Sequence, residues 1–170
     1  YFNGRVVVHG GSSNPTKLII VMLDQHHKSI SDAFIPAYKN LFHEGILDVF
    51  IEGALEENNL YCGQRLLEGR QAGSGSTFYT TSYSTACYQN YKGVRLWGTE
   101  TEALLGAMGT YMRKAGAVGG AFYLDCFTEM IALRSSYAAH IVLNNMSEHE
   151  LSVAVLHYGI SHFFEIERAI

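Results

Sequence analysis

An apolar run that leads to a histidine and then to a predicted helix occurs near both ends of this chain. Residues 18–23 lead through Asp24 to His26, and residues 151–156 lead to His162. In open α/β sheets, ligands bind outside the carboxyl ends of the parallel strands. If both runs are parallel strands of one sheet, the two histidines lie at the same edge of that sheet. The repeated context therefore predicts a site built from the two ends of the chain.

The segments between these runs alternate between strand-like and helix-like patterns. Residues 46–51 and 94–97 are short apolar runs typical of buried strands. Residues 125–146 and 163–170 have the apolar content and length of helices. Strands that alternate with helices predict an α/β fold with three layers, in which helices flank a mainly parallel sheet.

Local signals also predict where the helices begin and end. Asp32 is suited to cap the first helix, which places Pro36 in the first turn, where a missing N–H costs little. Gly45 is suited to end that helix. The strand, helix and strand around these residues predict a βαβ unit with a right-handed crossover. A later helix that follows Glu100 is expected to break at the glycines from Gly116 onward.

The length of the chain, 170 residues, fits one domain with a sizeable core. We therefore predict a single domain over residues 1–170. Between residues 61 and 93 the sequence has no clear strand or helix pattern. A Gly-Ser-Gly-Ser stretch and a mixture of Thr, Ser and Tyr there predict an inserted loop or lid.

Composition excludes several classes of protein. With 48% hydrophobic and 16% charged residues, the chain is globular rather than disordered. The net charge is −4 and no run of Lys and Arg occurs, so no nucleic-acid partner is expected. The longest apolar runs are far shorter than the roughly 18 residues of a membrane-spanning helix, so no transmembrane segment is expected. The compartment stays open, and so does the choice between a monomer and a homo-oligomer.

Polar side chains that suit catalysis or metal binding follow each predicted strand. His26 and His162 follow the first and last strands, and Glu52 and Glu100 follow the two strands between them. Imidazoles and carboxylates bind divalent metals and transfer protons near neutral pH. Because parallel strands end at the same edge of a sheet, we predict that these four residues are the ligands of one divalent metal ion. The alternative is that each is a solvated polar residue at the end of a strand.

Such an ion would keep one position for water, lower the pKa of that water and polarise a scissile carbonyl. Arg134 is expected to stabilise the developing oxyanion or to bind a substrate carboxylate, with a helix salt bridge as the alternative. We therefore predict metal-assisted hydrolysis of an amide or ester bond in a peptide or small molecule, with catalytic residues His26, His162, Glu52 and Arg134. Asp24 is expected to orient an imidazole. His157, within the last strand, is expected to be a hydrogen-bonded core residue.

The same residues match, in order, the motifs of a known superfamily. The matching stretches are Leu23-Asp24-Gln25-His26, Ile51-Glu52-Gly53, Gly98-Thr99-Glu100, Arg134-Ser135-Ser136 and Gly159-Ile160-Ser161-His162. In these motifs the chain resembles the superfamily that groups the Tiki peptidases, the TraB/PrgY proteins, the haem-uptake protein ChaN and erythromycin esterase. It resembles a divergent member, because Leu23 and Asp24 stand where the family motif has Gly and Glu.

The resemblance implies more than one activity. Tiki-like members are metal-dependent peptidases, the erythromycin esterase branch hydrolyses a lactone with a histidine that activates water, and ChaN binds haem. The family likeness thus implies either a hydrolytic site or a protein that binds haem or another small ligand without turnover. Tyrosines between residues 79 and 91 are candidate haem ligands. A third hypothesis is an interaction protein on a degenerate enzyme scaffold, because Leu23 replaces the family's glycine.

Overall fold

The structure is a computed structural model, and it describes residues 4–10, 16–25, 28–55, 60–61 and 93–170. The strands in these ranges are β1 (Gly4–His9), β2 (Lys17–Asp24), β3 (Asp48–Leu55), β4 (Leu60–Tyr61), β5 (Arg95–Glu100) and β6 (Val153–Gly159). The helices are α1 (Lys28–His43), α2 (Glu102–Val118), α3 (Gly120–Glu148) and α4 (Phe163–Ala169). A short 3-10 helix, Ile160–His162, joins β6 to α4.

The strands of the described residues form one six-stranded sheet in the order β1-β2-β6-β3-β5-β4. The neighbours β2, β6, β3 and β5 run parallel, and β1 and β4 pair antiparallel at the two edges. The last strand in sequence, β6, lies between β2 and β3. As a result Asp24 at the end of β2 is opposite Gly159 at the end of β6. The two ends of the chain therefore meet at one edge of the sheet.

Helices cover both faces of the sheet, and each face has its own core. On one face α1 packs Phe34, Tyr38 and Phe42 against β2, β3, β5 and β6. On the other face α3 packs Val142 and its neighbours against the same strands, and α4 adds Ile166. The predicted three-layer α/β fold with a mainly parallel sheet is thus confirmed.

The first helix begins earlier than the sequence predicted. It starts at Lys28 rather than after Asp32, and Pro36 lies in its interior. A proline there costs roughly 3 kcal/mol, and the apolar face of α1 offsets this cost through the burial of Phe34 and Tyr38. The predicted end is confirmed, because Gly45 has a φ of 81°, in the left-handed region that favours glycine.

The break between α2 and α3 also differs from the prediction. Helix α2 continues through Gly116 to Val118, because one glycine inside a helix costs only about 1 kcal/mol. The break comes at Gly119, with a φ of 73°, and α3 begins at Gly120. No described helix is long and apolar enough to cross a membrane.

The predicted insertion at 61–93 lies almost wholly outside the described residues. At its start, Leu60–Tyr61 pairs with β5 and forms the edge strand β4. At its end, Gly93 leads into β5. The prediction of a loop or lid over the residues between them therefore stays a prediction.

Candidate functional site

The carboxyl ends of β3, β5 and β6 bring Glu52, Glu100 and His162 together around Arg134 of α3. Arg134 donates from Nη2 to Glu52 Oε1 at 2.9 Å and from Nε to Glu100 Oε1 at 2.8 Å. His162 Nε2 lies 3.5 Å from Glu52 Oε1. Only 14% of the Arg134 side chain is exposed, and the other three side chains are still more buried. We call these four residues the carboxylate cluster.

The backbone of the sheet holds the cluster in place. Glu52 lies in β3, and its Oε2 accepts a hydrogen bond of 2.7 Å from the backbone N–H of Gly159 at the end of β6. Glu100 is the last residue of β5. Arg134 reaches both carboxylates because α3 packs across the face of the sheet on which they meet. The arrangement links the three neighbouring strands β6, β3 and β5 to helix α3. It lies at the edge of the sheet where ligands bind in open α/β folds.

The two carboxylates of the cluster lie in electrostatically different surroundings. Burial raises the pKa of Glu52, but the hydrogen bond from His162 and the positive charge of Arg134 outweigh burial and lower that pKa to about 2. Burial also raises the pKa of Glu100, and the nearby charge of Glu52 adds to burial, while Arg134 offsets only part of the rise. Glu52 is therefore ionised, and Glu100 keeps its proton to a higher pH than an ordinary glutamate. Pairs of carboxyl groups with pKa values pushed apart are typical of acid–base sites.

One oxygen of Glu100 has no hydrogen-bond partner among the described residues. Its Oε1 accepts from Arg134 and lies 3.3 Å from the hydroxyl of Tyr158, whereas Oε2 is buried and unpaired. A buried polar atom without a partner costs roughly 1–3 kcal/mol. A proton on Oε2 would make it a hydrogen-bond donor aimed at a group that the described residues do not supply.

The ring of His162 is fixed from two sides. Ser135 Oγ lies 2.8 Å from His162 Nδ1 and donates its own proton to the carbonyl of Ile131 at 2.6 Å. Tyr158 packs edge-on against the ring, with 5.0 Å between centroids. These contacts direct Nε2 of His162 toward Glu52.

Three residues that support the cluster were not predicted from the sequence. Ser135 orients His162, and Thr99 donates to the carbonyl of Ile51 at 2.9 Å while lying 3.0 Å from the hydroxyl of Tyr158. Thr99 and Ser135 directly precede or follow predicted site residues in sequence, which is the one signal that pointed to them. Their contacts depend on how α3 and β6 lie over β5, and no local pattern encodes that geometry.

A second polar cluster lies on the opposite face of the sheet. Because side chains alternate along a strand, His157 of β6 points toward α1 while Tyr158 points toward α3. His157 Nε2 lies 3.1 Å from Asp24 Oδ2, and its Nδ1 contacts the hydroxyl of Tyr38. All three residues are fully buried. His157 is thus a hydrogen-bonded core imidazole, as predicted, and Asp24 orients it.

The metal prediction can be compared with these positions for three of its four residues. Glu52 and Glu100 converge on the guanidinium of Arg134, so an organic cation already lies between them. No group of three His, Cys, Asp or Glu side chains in the described part of the chain is placed to hold an ion. His26, the fourth predicted ligand, lies outside the described residues, as do the tyrosines considered for haem. A divalent metal and haem therefore stay predictions.

Comparisons of the chain with models of protein families, with curated proteins and with solved structures gave no match. The resemblance to the superfamily of Tiki peptidases and erythromycin esterase rests on the sequence motifs.

Proposed function

We propose that this chain is a hydrolase that cleaves an amide or ester bond of a peptide or small molecule at the carboxylate cluster. One observation carries the proposal. Glu52 and Glu100 share the guanidinium of Arg134, and the pKa values of their carboxyl groups move in opposite directions. Hydrolysis needs one group that accepts a proton from water and another that donates to the carbonyl or the leaving group. A pair of carboxyl groups with pKa values pushed apart can supply both.

Glu100 and Arg134 suit the side of the reaction where negative charge develops. A proton on the unpaired Oε2 of Glu100 can be donated to the scissile carbonyl or the leaving atom. Arg134 uses Nε and Nη2 within the cluster, and its Nη1 makes no hydrogen bond with the described residues. A guanidinium N–H aimed at a developing oxyanion stabilises the transition state without moving.

Glu52 and His162 suit the other side of the reaction. Their side chains lie within 3.5 Å of each other, and together they form a carboxylate–imidazole pair that can accept a proton from an attacking water. Ser135 and the N–H of Gly159 keep this pair in one orientation. No step assigned to these residues requires a metal ion.

The experiment is a hydrolysis screen of the purified chain against panels of nitrophenyl esters and fluorogenic peptides. Glu52→Gln and Glu100→Gln are compared with Glu148→Gln, an exposed carboxylate at the far end of α3. We expect each cluster variant to lower kcat/KM by roughly a hundredfold or more, and the control to leave it unchanged. An inactive native chain, or cluster variants as active as the native chain, would contradict the proposal.

The same screen tests the predicted metal. The protein is assayed after chelation and again with zinc, manganese or magnesium, and its metal content is measured by elemental analysis. Activity that survives chelation supports catalysis by the carboxylate cluster without a metal ion. Activity that depends on a stoichiometric metal, lost in His26→Ala and His162→Ala, supports the metal set predicted from the sequence.

A ligand carrier without turnover is the second candidate function. The unpaired Oε2 of Glu100 and the available Nη1 of Arg134 would bind a ligand that carries both a hydrogen-bond acceptor and a carboxylate, whether or not a bond is then cleaved. Calorimetric titration with small carboxylic acid esters and amides, and spectroscopic titration with haem, test this function. Binding that is lost in Arg134→Met without any turnover would favour the carrier.

A further inference from the structure

The ends of α2 and α3 around Gly119 form a helical hairpin with an exposed apolar surface. The hydroxyl of Tyr111 in α2 donates to Glu129 in α3 at 3.0 Å, so the two helices run side by side. Residues 115–124 contain no charged side chain. Exposure within this stretch is 70% for Val118, 50% for Phe122 and 63% for Leu124. We call residues 109–129 the hairpin tip. Contiguous exposed apolar surface of this kind marks an interaction site.

The charges of the hairpin tip are divided between its two helices. Arg113 and Lys114 lie on α2, and Asp125 and Glu129 lie on α3, all of them exposed. Arg113 donates to Thr110 on its own helix. Among the described residues, no ion pair joins the two basic residues to the two acidic ones. The tip thus has one basic helix and one acidic helix, with equal and opposite charges that form no ion pair with each other among the described residues.

We infer that the hairpin tip binds the hairpin tip of a second copy of this chain. In a two-fold symmetric contact, the same patch serves both subunits, so α2 of one copy lies against α3 of the other. Arg113 and Lys114 then face the partner subunit's Asp125 and the partner subunit's Glu129, and the apolar side chains between them leave water.

Charge favours a second copy over other occupants. An anionic lipid surface would be repelled by Asp125, which directly follows Leu124 at the apolar end of α3. A strongly acidic or strongly basic protein would meet as many like charges on the tip as opposite ones. Only a surface with the reverse division of charge satisfies both helices, and the tip of a second copy has that division. The inference does not depend on the proposed hydrolysis.

Sedimentation equilibrium of the full chain tests the inference. We expect a monomer–dimer equilibrium at roughly micromolar concentrations, weakened by added salt. Variant A combines Arg113→Glu with Lys114→Glu, and variant B combines Asp125→Lys with Glu129→Lys. Each variant alone places like charges across the contact, and we expect its dimer to be weaker by about tenfold or more. An equimolar mixture of A and B pairs opposite charges again and is expected to form a heterodimer.

Two controls separate this result from unfolding and from other contacts. Glu148→Lys combined with Glu150→Lys changes exposed charges outside the tip and is expected to leave the dimer unchanged. Circular dichroism should show the same fold in all variants, because every substituted residue is exposed. A native chain that stays monomeric overturns the inference, and so does a mixture of A and B that fails to associate. A monomer that instead sediments with anionic phospholipid vesicles overturns it in favour of a lipid surface.

Discussion

At the scale of single residues, burial and the partners of each carboxyl group set the pKa values within the carboxylate cluster. One guanidinium balances the charge of one carboxylate, and a second ionised carboxyl group buried beside it would lack a full counter-charge. Glu52 has additional partners in His162 and the N–H of Gly159, whereas one oxygen of Glu100 has no partner in the described part of the chain. The pKa of Glu100 is therefore raised above its ordinary value, chiefly by burial. Burial together with these different partners makes the two carboxyl groups different.

The first prediction concerns the charge of Glu52. We expect Glu52→Gln to lower the free energy of unfolding at neutral pH by roughly 3 kcal/mol, because the pKa of this carboxyl falls from 4.5 to about 2 on folding. A lowered pKa contributes stability that is complete above pH 4.5 and is lost as the pH falls toward 2. The difference between the native chain and the variant should therefore shrink across that window.

Urea denaturation from neutral pH down to about pH 3 measures this difference. Glu148→Gln is the matched control, since it removes an exposed carboxylate from the same helix that carries Arg134. A difference that stays constant at every pH would show that Glu52 acts through packing rather than through its charge.

At the scale of elements, α1 is fixed to the centre of the sheet by the polar cluster of Asp24, His157 and Tyr38. Phe34 of α1 packs edge-on against His157, with 4.8 Å between ring centroids. The tyrosine, the imidazole and the carboxylate each come from a different element, α1, β6 and β2. The cluster thus joins two elements from the start of the chain to a strand near its end.

The second prediction tests the contribution of this polar cluster to stability. Tyr38→Phe removes the hydroxyl that contacts Nδ1 of His157 and leaves the ring packing in place. We expect a loss of about 1–3 kcal/mol in the free energy of unfolding, because a buried hydrogen bond is removed. Tyr123→Phe, at an exposed tyrosine, is the control and should change stability little. Equal effects of the two substitutions would count against a structural role for the hydroxyl of Tyr38.

Sequence patterns predict much of the cluster and little of what supports it. Strand periodicity and the placement of sites at strand ends were enough to select Glu52, Glu100 and His162, which meet around Arg134. The partners that orient them depend on how helices lie over the sheet, so Ser135 could not be found from spacing. The start of α1 was misplaced for the same reason, since tertiary packing outweighs a local cap and an internal proline.

At the scale of the whole molecule, the sheet order makes the fold depend on its last strand. β6 forms parallel ladders with both β2 and β3 and ends at Gly159, which holds Glu52. β6 is thus a central strand whose pairing partners are distant in sequence. The core and the site both depend on this part of the chain, because β6 packs in the core and Gly159 and His162 contact Glu52.

The third prediction follows from that topology. A chain that ends at residue 150 lacks β6 and is expected not to fold, because β2 and β3 have no strand between them. The fluorescence of Trp97, the one tryptophan of the chain, reports this, since its ring is buried and stacked on Phe50. Phe164→Ala, at a residue that is 78% exposed just beyond the last strand, is the control. A truncated chain that keeps the native Trp97 emission would contradict this account of the fold.

The central claim is that the pKa values of Glu52 and Glu100 shift in opposite directions around Arg134. Carbon-13 NMR of protein labelled at the glutamate side-chain carboxyl groups measures this directly, with Glu52→Gln and Glu100→Gln used to assign the two signals. We predict that the pKa of Glu52 is about 2 and that the pKa of Glu100 lies above the ordinary glutamate value of 4.5. Two carboxyl groups that titrate together, or a Glu100 that loses its proton before Glu52 does, would contradict the proposed acid–base pair.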